Sequence, residues 1–455
     1  MTFASDMRVG IDGFNLALAH GTGVASYART LAEALHALGR RIDLVYGLNV
    51  PPGSVPEQRE TLFFAALAEG FSGEEPPART SAWGRVRRSL LSPAPRNLVE
   101  VPVSGRVIRT DVAARVPTFD RLFTMHRLFW VGRRYFRRFG RLLPVRVTDP
   151  PAIMHWTYPV PVRLIGSRNV YTIHDLVPLR LPHLSLEDKG YHERLLRACA
   201  AAGDHILTVS KVSRDDILTC LGLSPEAVTT IHQAVPSAFA RTAEPETEAR
   251  QLRSLFDLDP QGYFLFYGAI EPKKNVGRLI EAYLGAAIKR PLILVGSAAW
   301  RSEPELRLLN GAHGGQLPRV SQVRRIEYLP AEHLGLLLRG ARALVFPSLY
   351  EGFGLPPVEA MHAGVPVIAG DAGALPEILG TAALLVDPYD PVAIGSAMTR
   401  LDEDDDLRTR LGGMGRERAE AFALGPYQTA LDAFHTRLLT STAPRPTPAL
   451  SGATR

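Results

Sequence analysis

Short apolar, β-branched runs alternate with segments of helical periodicity along the whole of this 455-residue chain. In the first half the runs are MRVGID (7–12), IDLVYG (42–47), AIMHW (152–156), NVYTIHD (169–175) and HILTVS (205–210). In the second half they are YFLFYGAI (263–270), LILVGS (292–297), RRIEYLP (324–330), ALVFPS (343–348) and VPVIAG (365–370). Runs that are apolar throughout suit parallel strands buried on both faces. Helical patterns fall between them, at 25–39, 213–220, 276–287 and 356–363. This rhythm of strand, helix and strand occurs twice and predicts an α/β protein with two doubly wound sheets.

A polar, turn-rich stretch at 235–261 interrupts the rhythm. It divides the chain into an N-terminal domain (1–240), a linker (241–260) and a C-terminal domain (261–425). A terminal helix is expected at 426–440. The tail 441–455, rich in Pro, Ser and Thr, is expected to be disordered.

Composition narrows the class. At 46% hydrophobic and 22% charged residues the chain is globular, and no run of 18 apolar residues predicts a spanning helix. The start, MTFASDMRVGIDGFN, has no basic region followed by an apolar block, so no signal peptide is expected. Two cysteines, Cys199 and Cys220, give neither a disulfide framework nor a metal cluster. A cytoplasmic protein is the expectation.

The net charge of +6 is local. Between Arg85 and Arg146 there are fifteen arginines, no lysine and only three acids, so the rest of the chain is net acidic. Lysine is scarce, at Lys189, Lys211, Lys273, Lys274 and Lys289, and two of the five are adjacent.

Candidate chemistry gathers at the carboxyl ends of the expected strands, where open α/β sheets bind ligands. His174 and Asp175 follow NVYTI, Ser210 and Lys211 follow HILTV, Lys273 and Lys274 follow FLFYGAIEP, and Glu351 follows ALVFPS. Gly21, Thr22 and Gly23 precede the first long helix, although without the spacing of a dinucleotide loop. Clusters from both halves on one edge point to a cleft between two domains. In LYEGFG the glycines let backbone approach a ligand closely. LPPVEAMHA reads as a helix whose start favours an anion. Glu359 in that helix and Glu351 on the loop are placed to accept hydrogen bonds from hydroxyls. A first-turn glutamate gains about 0.3–1 kcal/mol from the helix dipole without any ligand, so Glu359 alone establishes nothing. Adjacent lysines above a helix start form a phosphate clamp.

Taken together, these residues resemble the family 4 retaining glycosyltransferases, whose GT-B fold has two facing Rossmann-like domains with a cleft between them. The resemblance runs from the glycine loop to VDPYD (386–390). PSLYEGFGLPPVEAM looks like the family's Glu-x7-Glu element, and GAIEPKKN like its basic loop. YTIHDLVPLRLP and LTVSKVSRDDIL are similar to two segments of the N-terminal domain. The resemblance implies that Glu359 holds the ribose hydroxyls and Glu351 lies near the donor sugar. It implies that the backbone of Gly352, Phe353, Gly354 and Leu355 meets sugar and diphosphate. Lys274 and Lys273 then neutralise the diphosphate. His174, with Asp175 beside it, touches the sugar from the other domain, and Gly23 approaches phosphate or acceptor. The helix near Pro426 crosses back to the N-terminal domain. Three departures stand out. Ala269 replaces the arginine many members have in the basic loop, Glu327–Tyr328 replaces a Gly-Tyr pair near the nucleobase, and 70–146 matches no general motif.

The implied reaction moves a hexose from a nucleotide-sugar to a saccharide or lipid-linked saccharide, with retention. The resemblance leans to the mannosyltransferase-like branch and GDP-mannose. A UDP-sugar donor, a sugar-nucleotide 2-epimerase and an inactive membrane-surface scaffold are the alternatives. No metal and no cofactor are expected. The Asp-x-Asp spacings fall at Asp257 and in DEDDD from Asp402, and neither follows an active-site strand. The segment RLFTMHRLFWVGRRYFRRFGRLL (121–143) places Leu122, Met125, Phe129, Phe136, Phe139 and Leu143 on one helical face. Arg127, Arg134, Arg138 and Arg141 lie elsewhere on the wheel. Such a helix can lie on an anionic membrane, at its cytoplasmic face, through Arg127, Phe129, Arg134, Phe136, Arg138 and Arg141, or it can pack on the N-terminal domain with its arginines solvated. No nucleic-acid motif accompanies the basic segment, so nucleic acid is not an expected partner.

Overall fold

The computed structural model describes residues 7–18, 23–51, 53–70, 94–105, 107, 110–184, 188–235, 239, 244–310 and 320–441. In the N-terminal half, strands β1 (Arg8–Asp12), β2 (Arg41–Tyr46), β3 (Arg96–Asn97), β4 (Val99–Glu100), β5 (Arg121–Thr124) and β6 (Leu143–Arg146) come first. They are followed by β7 (Ile153–Trp156), β8 (Val162–Leu164), β9 (Arg168–Thr172), β10 (His205–Thr208) and β11 (Val228–Thr230). Eight of them form a sheet in the order β11-β10-β9-β7-β1-β2-β5-β4, parallel except for the β4–β5 pair. The strands β3, β6 and β8 make a small parallel sheet of their own.

The C-terminal half adds β12 (Phe264–Tyr267), β13 (Leu292–Val295), β14 (Val323–Ile326), β15 (Ala343–Phe346), β16 (Val367–Gly370) and β17 (Leu384–Val386). These pair in the order β14-β13-β12-β15-β16-β17, all parallel. Every residue of β7, β12, β13, β15 and β16 is buried, which is why those runs carry no polar alternation. The strand order reverses between β12 and β15 in this sheet, and between β1 and β7 in the N-terminal one. A crevice opens at such switch points beyond the carboxyl ends of the strands.

Two expectations need correction. The stretch 235–261 is not irregular throughout, because Pro245–Phe256 is a helix. Proline begins it, Asp257 ends it in the left-handed region at φ 54°, Leu252 is buried, and Arg339 donates to Glu248 at 2.8 Å.

The single amphipathic helix expected over 121–143 is not formed either. Leu122 lies in β5, Leu143 in β6, and only Leu128–Phe139 is helical. That short helix spends its apolar face on the domain's own core. Phe129 is 6% exposed and packs edge-on against Phe14, and Phe136 is 4% exposed against Tyr191. Phe129 and Phe136 are therefore not membrane contacts. Arg127 sits at the helix start with φ 54°, Arg134 is half-buried over Trp130, and Arg138 and Arg141 are exposed. No helix among the described residues is long and apolar enough to cross a membrane.

The last helix, Leu424–Thr440, packs on the N-terminal sheet. Arg40 pairs with Asp432 at 2.5 Å, and His155 of β7 meets His435 with 2.8 Å between their Nε2 atoms. Most of the tail, 442–455, lies outside the described residues.

Candidate active site

The switch point of the C-terminal sheet brings the two sequence motifs together. After β12 the chain makes a one-turn helix, Pro272–Lys274, and then enters the helix Val276–Gly285 through Asn275 at φ 61°. Asn275 fixes this turn by donating to the carbonyls of Pro347 (3.0 Å) and Pro388 (2.6 Å). After β15 the chain runs through Ser348–Gly354 into the helix Leu355–His362. The Leu349 amide donates to the Lys273 carbonyl at 2.8 Å, so the two loops are tied to each other.

At their junction Lys274 Nζ lies 2.6 Å from Glu351 Oε1 and 4.8 Å from the centre of the Phe346 ring. Both side chains of the pair are nearly buried. Burial alone pushes the Glu351 carboxyl up, but Lys274 and Lys273 outweigh it and hold it below its ordinary range. Burial likewise works against the Lys273 charge, yet Glu351, Asp175 and Glu271 together hold its ammonium above the ordinary value. The cluster thus favours the charged forms of Glu351 and Lys273.

Above it, no acceptor among the described residues takes the amides of Gly352, Phe353, Gly354 or Leu355. Pro356 and Pro357 have no N–H, so these four amides are the donors this helix start presents. Phe353 contributes only its backbone, since its ring packs on Phe422. Gly354 holds φ 101°, a conformation that favours glycine. Glu359 stands partly exposed one turn on. One carboxylate oxygen accepts from the Tyr267 hydroxyl, and burial pushes the carboxyl up.

The N-terminal domain faces this loop directly. A Cβ on Gly352 would stand 2.2 Å from the His174 carbonyl oxygen, and one on Gly23 would touch Leu355 at 3.4 Å. Gly21 and Thr22 lie outside the described residues. His174 gives its Nε2 proton to the Thr157 carbonyl at 2.8 Å, and burial pushes its pKa down, so the ring is neutral with Nδ1 unprotonated. Asp175 accepts from the Val177 amide, beginning the turn Val177–Arg180. A cavity of 330 Å³ between the domains is lined by His174, Asp175, Glu271 and Lys273, with Trp300 from the far loop.

Three features of the site escaped the sequence. Asp12, fully buried at the end of β1, accepts from Thr157 Oγ1 at 2.8 Å and from its amide, and so fixes the carbonyl that holds His174. Trp300 has no pattern that would single it out. Glu377 of the C-terminal domain accepts from the amides of Lys211 and Val212, and from His232 at 2.7 Å, capping a helix of the N-terminal domain. Ser210 caps that same helix through Ser213, and Lys211 serves through its backbone. Tyr328 is 76% exposed beyond β14, and Ala269 contributes no charge to the basic loop.

Comparison with known proteins agrees with this arrangement. The family described as "Glycosyltransferase Family 4" matches residues 21–239, and "Glycosyl transferases group 1" matches 250–418. The O-antigen chain mannosyltransferase B of Escherichia coli is 34% identical over 264 residues, 56% of this chain and 67% of that protein. Among solved structures, sucrose-phosphate synthase from Thermosynechococcus elongatus superposes with a TM-score of 0.63 at 19% identity, covering 95% of this chain and 99% of the other. Anabaena HepE in complex with UDP-glucose gives 0.62 at 13% identity, covering 94% and 99%. These two likenesses establish the shared fold, two Rossmann-like domains facing across a cleft.

Proposed function

Because the chain belongs to glycosyltransferase family 4, we propose that it moves mannose from GDP-mannose to a saccharide or lipid-linked saccharide in the cytoplasm, with retention and without a metal ion. The observation that carries this reading is the Lys274–Glu351 pair beneath four amides that find no acceptor among the described residues, with neutral His174 facing them. A departing nucleoside diphosphate gains negative charge as the bond from the sugar's C1 to the phosphate oxygen breaks. Preorganised donors at that position stabilise the charge as it develops. Lys274, Lys273 and the amides of Gly352 to Leu355 supply such donors.

Glu351 is engaged by Lys274 and aims the ammonium rather than attacking the sugar. In this reading the acceptor hydroxyl attacks C1 on the face the diphosphate leaves. Its proton passes to the leaving phosphate oxygen. Glu359 holds the ribose with the oxygen that Tyr267 does not occupy. The mannosyltransferase relative favours GDP-mannose. The UDP-glucose complex of a structural neighbour, together with the Glu327–Tyr328 pair, keeps a UDP-sugar as the second reading.

The test incubates the protein with GDP-mannose or UDP-glucose and a panel of saccharide and lipid-linked saccharide acceptors, and measures release of free nucleoside diphosphate, with chelator present and absent. Release from GDP-mannose, unaffected by chelator, supports the reading. Release only from UDP-glucose replaces the donor, and release from neither overturns it.

A further inference from the structure

A second cavity, of 530 Å³, opens off the cleft within the N-terminal domain. It shares Val24, Tyr158, Pro159 and His192 with the wall of the cleft, so the two are continuous. The short helix Leu128–Phe139 forms one side and Tyr191 the other. Arg133 and Arg137 both lie over the Tyr191 ring, at 5.1 and 5.6 Å, and Arg134 lies over Trp130 at 4.7 Å. Stacking fixes the guanidinium planes while leaving their N–H edges for a ligand.

Among the described residues no carboxylate forms an ion pair with these three arginines, although the Tyr191 amide, helped by the Arg137 charge, holds the Asp188 carboxyl below its ordinary range. Asp188, the one carboxylate in the lining, is occupied as the cap of the helix Lys189–Ala202, accepting from the Tyr191 amide at 3.0 Å. A separate observation points the same way. Asn15 also lines this cavity, is only 7% exposed, and its Nδ2 has no hydrogen-bond partner among the described residues. A buried, unpaired amide donor is costly unless an acceptor reaches it.

We propose that this pocket holds a phosphate group borne by the acceptor, with the acceptor's sugar directed along the shared wall towards His174. This rests on the glycosyltransferase reading of the cleft. Arginine forks match phosphate oxygens in pairs, and the faces of Trp130 and Tyr191 suit the apolar side of a sugar ring or an isoprenoid chain. The acceptor class is therefore a glycosyl phosphate or diphosphate, free or carried on a lipid. In this proposal the arginine-rich helix binds its ligand from within the domain.

The test is calorimetric titration of the full chain in excess GDP, which keeps probes out of the donor site. The probes are α-mannose 1-phosphate, farnesyl diphosphate and, as the uncharged control, methyl α-mannoside. At least one phosphate-bearing probe is expected to bind, and Arg133→Ala/Arg137→Ala to weaken it at least tenfold. Arg133→Lys/Arg137→Lys, which keeps the charge, is expected to restore part of the loss and guards against misfolding. Tighter binding of farnesyl diphosphate assigns a lipid carrier, and tighter binding of mannose 1-phosphate a soluble acceptor. If neither phosphate probe binds, or the alanine variant binds as tightly as the wild type, the proposal is wrong. Titration of GDP and UDP into the same protein separates the two readings. Nucleotide binding without phosphate binding sinks the pocket alone, and the reverse sinks the donor reading alone.

Discussion

Lys274 and Glu351 come from loops seventy-seven residues apart in sequence, yet their charged ends lie 2.6 Å from one another at the switch point between β12 and β15. The pair is nearly buried, so removing one member takes from the other its direct ion-pair partner. Lys274→Met is expected to destabilise the fold by about 3 kcal/mol, and Lys274→Met/Glu351→Gln to recover much of that loss. Chemical denaturation of the three proteins checks this. Turnover should stay low in the double variant, because the diphosphate has lost its ammonium.

Gly352 is a point of contact between domains rather than a flexible joint. A Cβ there would stand 2.2 Å from the His174 carbonyl oxygen, so Gly352→Ala must push the loop or the domain away. A displacement of about 1 Å at reacting groups can lower turnover about a hundredfold. We expect a loss of that order in kcat/KM together with a lowered melting temperature, measured by steady-state kinetics and calorimetry.

Asp12 links stability and activity to pH in opposite directions. Burial raises its pKa to about 6, against the pull of the Thr157 hydrogen bonds. An acid whose folded pKa is raised binds its proton more tightly when folded, so this group's contribution to stability grows as pH falls from above 6 towards 4. The ionised form is the one that accepts both Thr157 donors and so anchors His174. Activity should therefore fall as pH drops through about 6 while the protein does not unfold. Asp12→Asn should be slow at every pH and lack this step in its pH–rate profile.

His155 and His435 form the buried seam between the N-terminal sheet and the last helix. Burial pushes both pKa values down, so both rings are neutral when folded. The unfolded chain protonates them near the ordinary value of 6.5, and stability is lost as pH falls below it, by about 1.4 kcal/mol per pH unit for each ring. Denaturation between pH 7 and 5 should show this slope. His155→Leu/His435→Leu should flatten it.

The ten apolar runs announced ten strands; nine are largely buried, because parallel strands covered on both faces leave no room for polar positions, while the tenth, β14, is a partly exposed edge strand that keeps its arginines. The short strands were not legible. β5 and β6 flank a helix whose periodicity runs on through Leu122 and Leu143, so strand residues mimicked a longer helical face. The chemistry at the strand ends, Lys273, Lys274, Glu351 and His174, was readable because topology gathers those ends at one crevice. Asp12, Trp300 and Glu377 were not. Asp12 and Glu377 act through partners distant in sequence, Thr157 and Lys211, that only the folded chain supplies, and Trp300 has no local pattern that marks it.

The most direct test is calorimetric titration of the wild type with GDP, UDP and ADP, repeated with Lys274→Ala and Glu359→Ala. One nucleotide should bind the wild type, with affinity falling at least tenfold, or about 1.4 kcal/mol, in both variants. Failure of all three nucleotides to bind the folded wild-type protein would contradict the assignment of this cleft to a nucleotide-sugar.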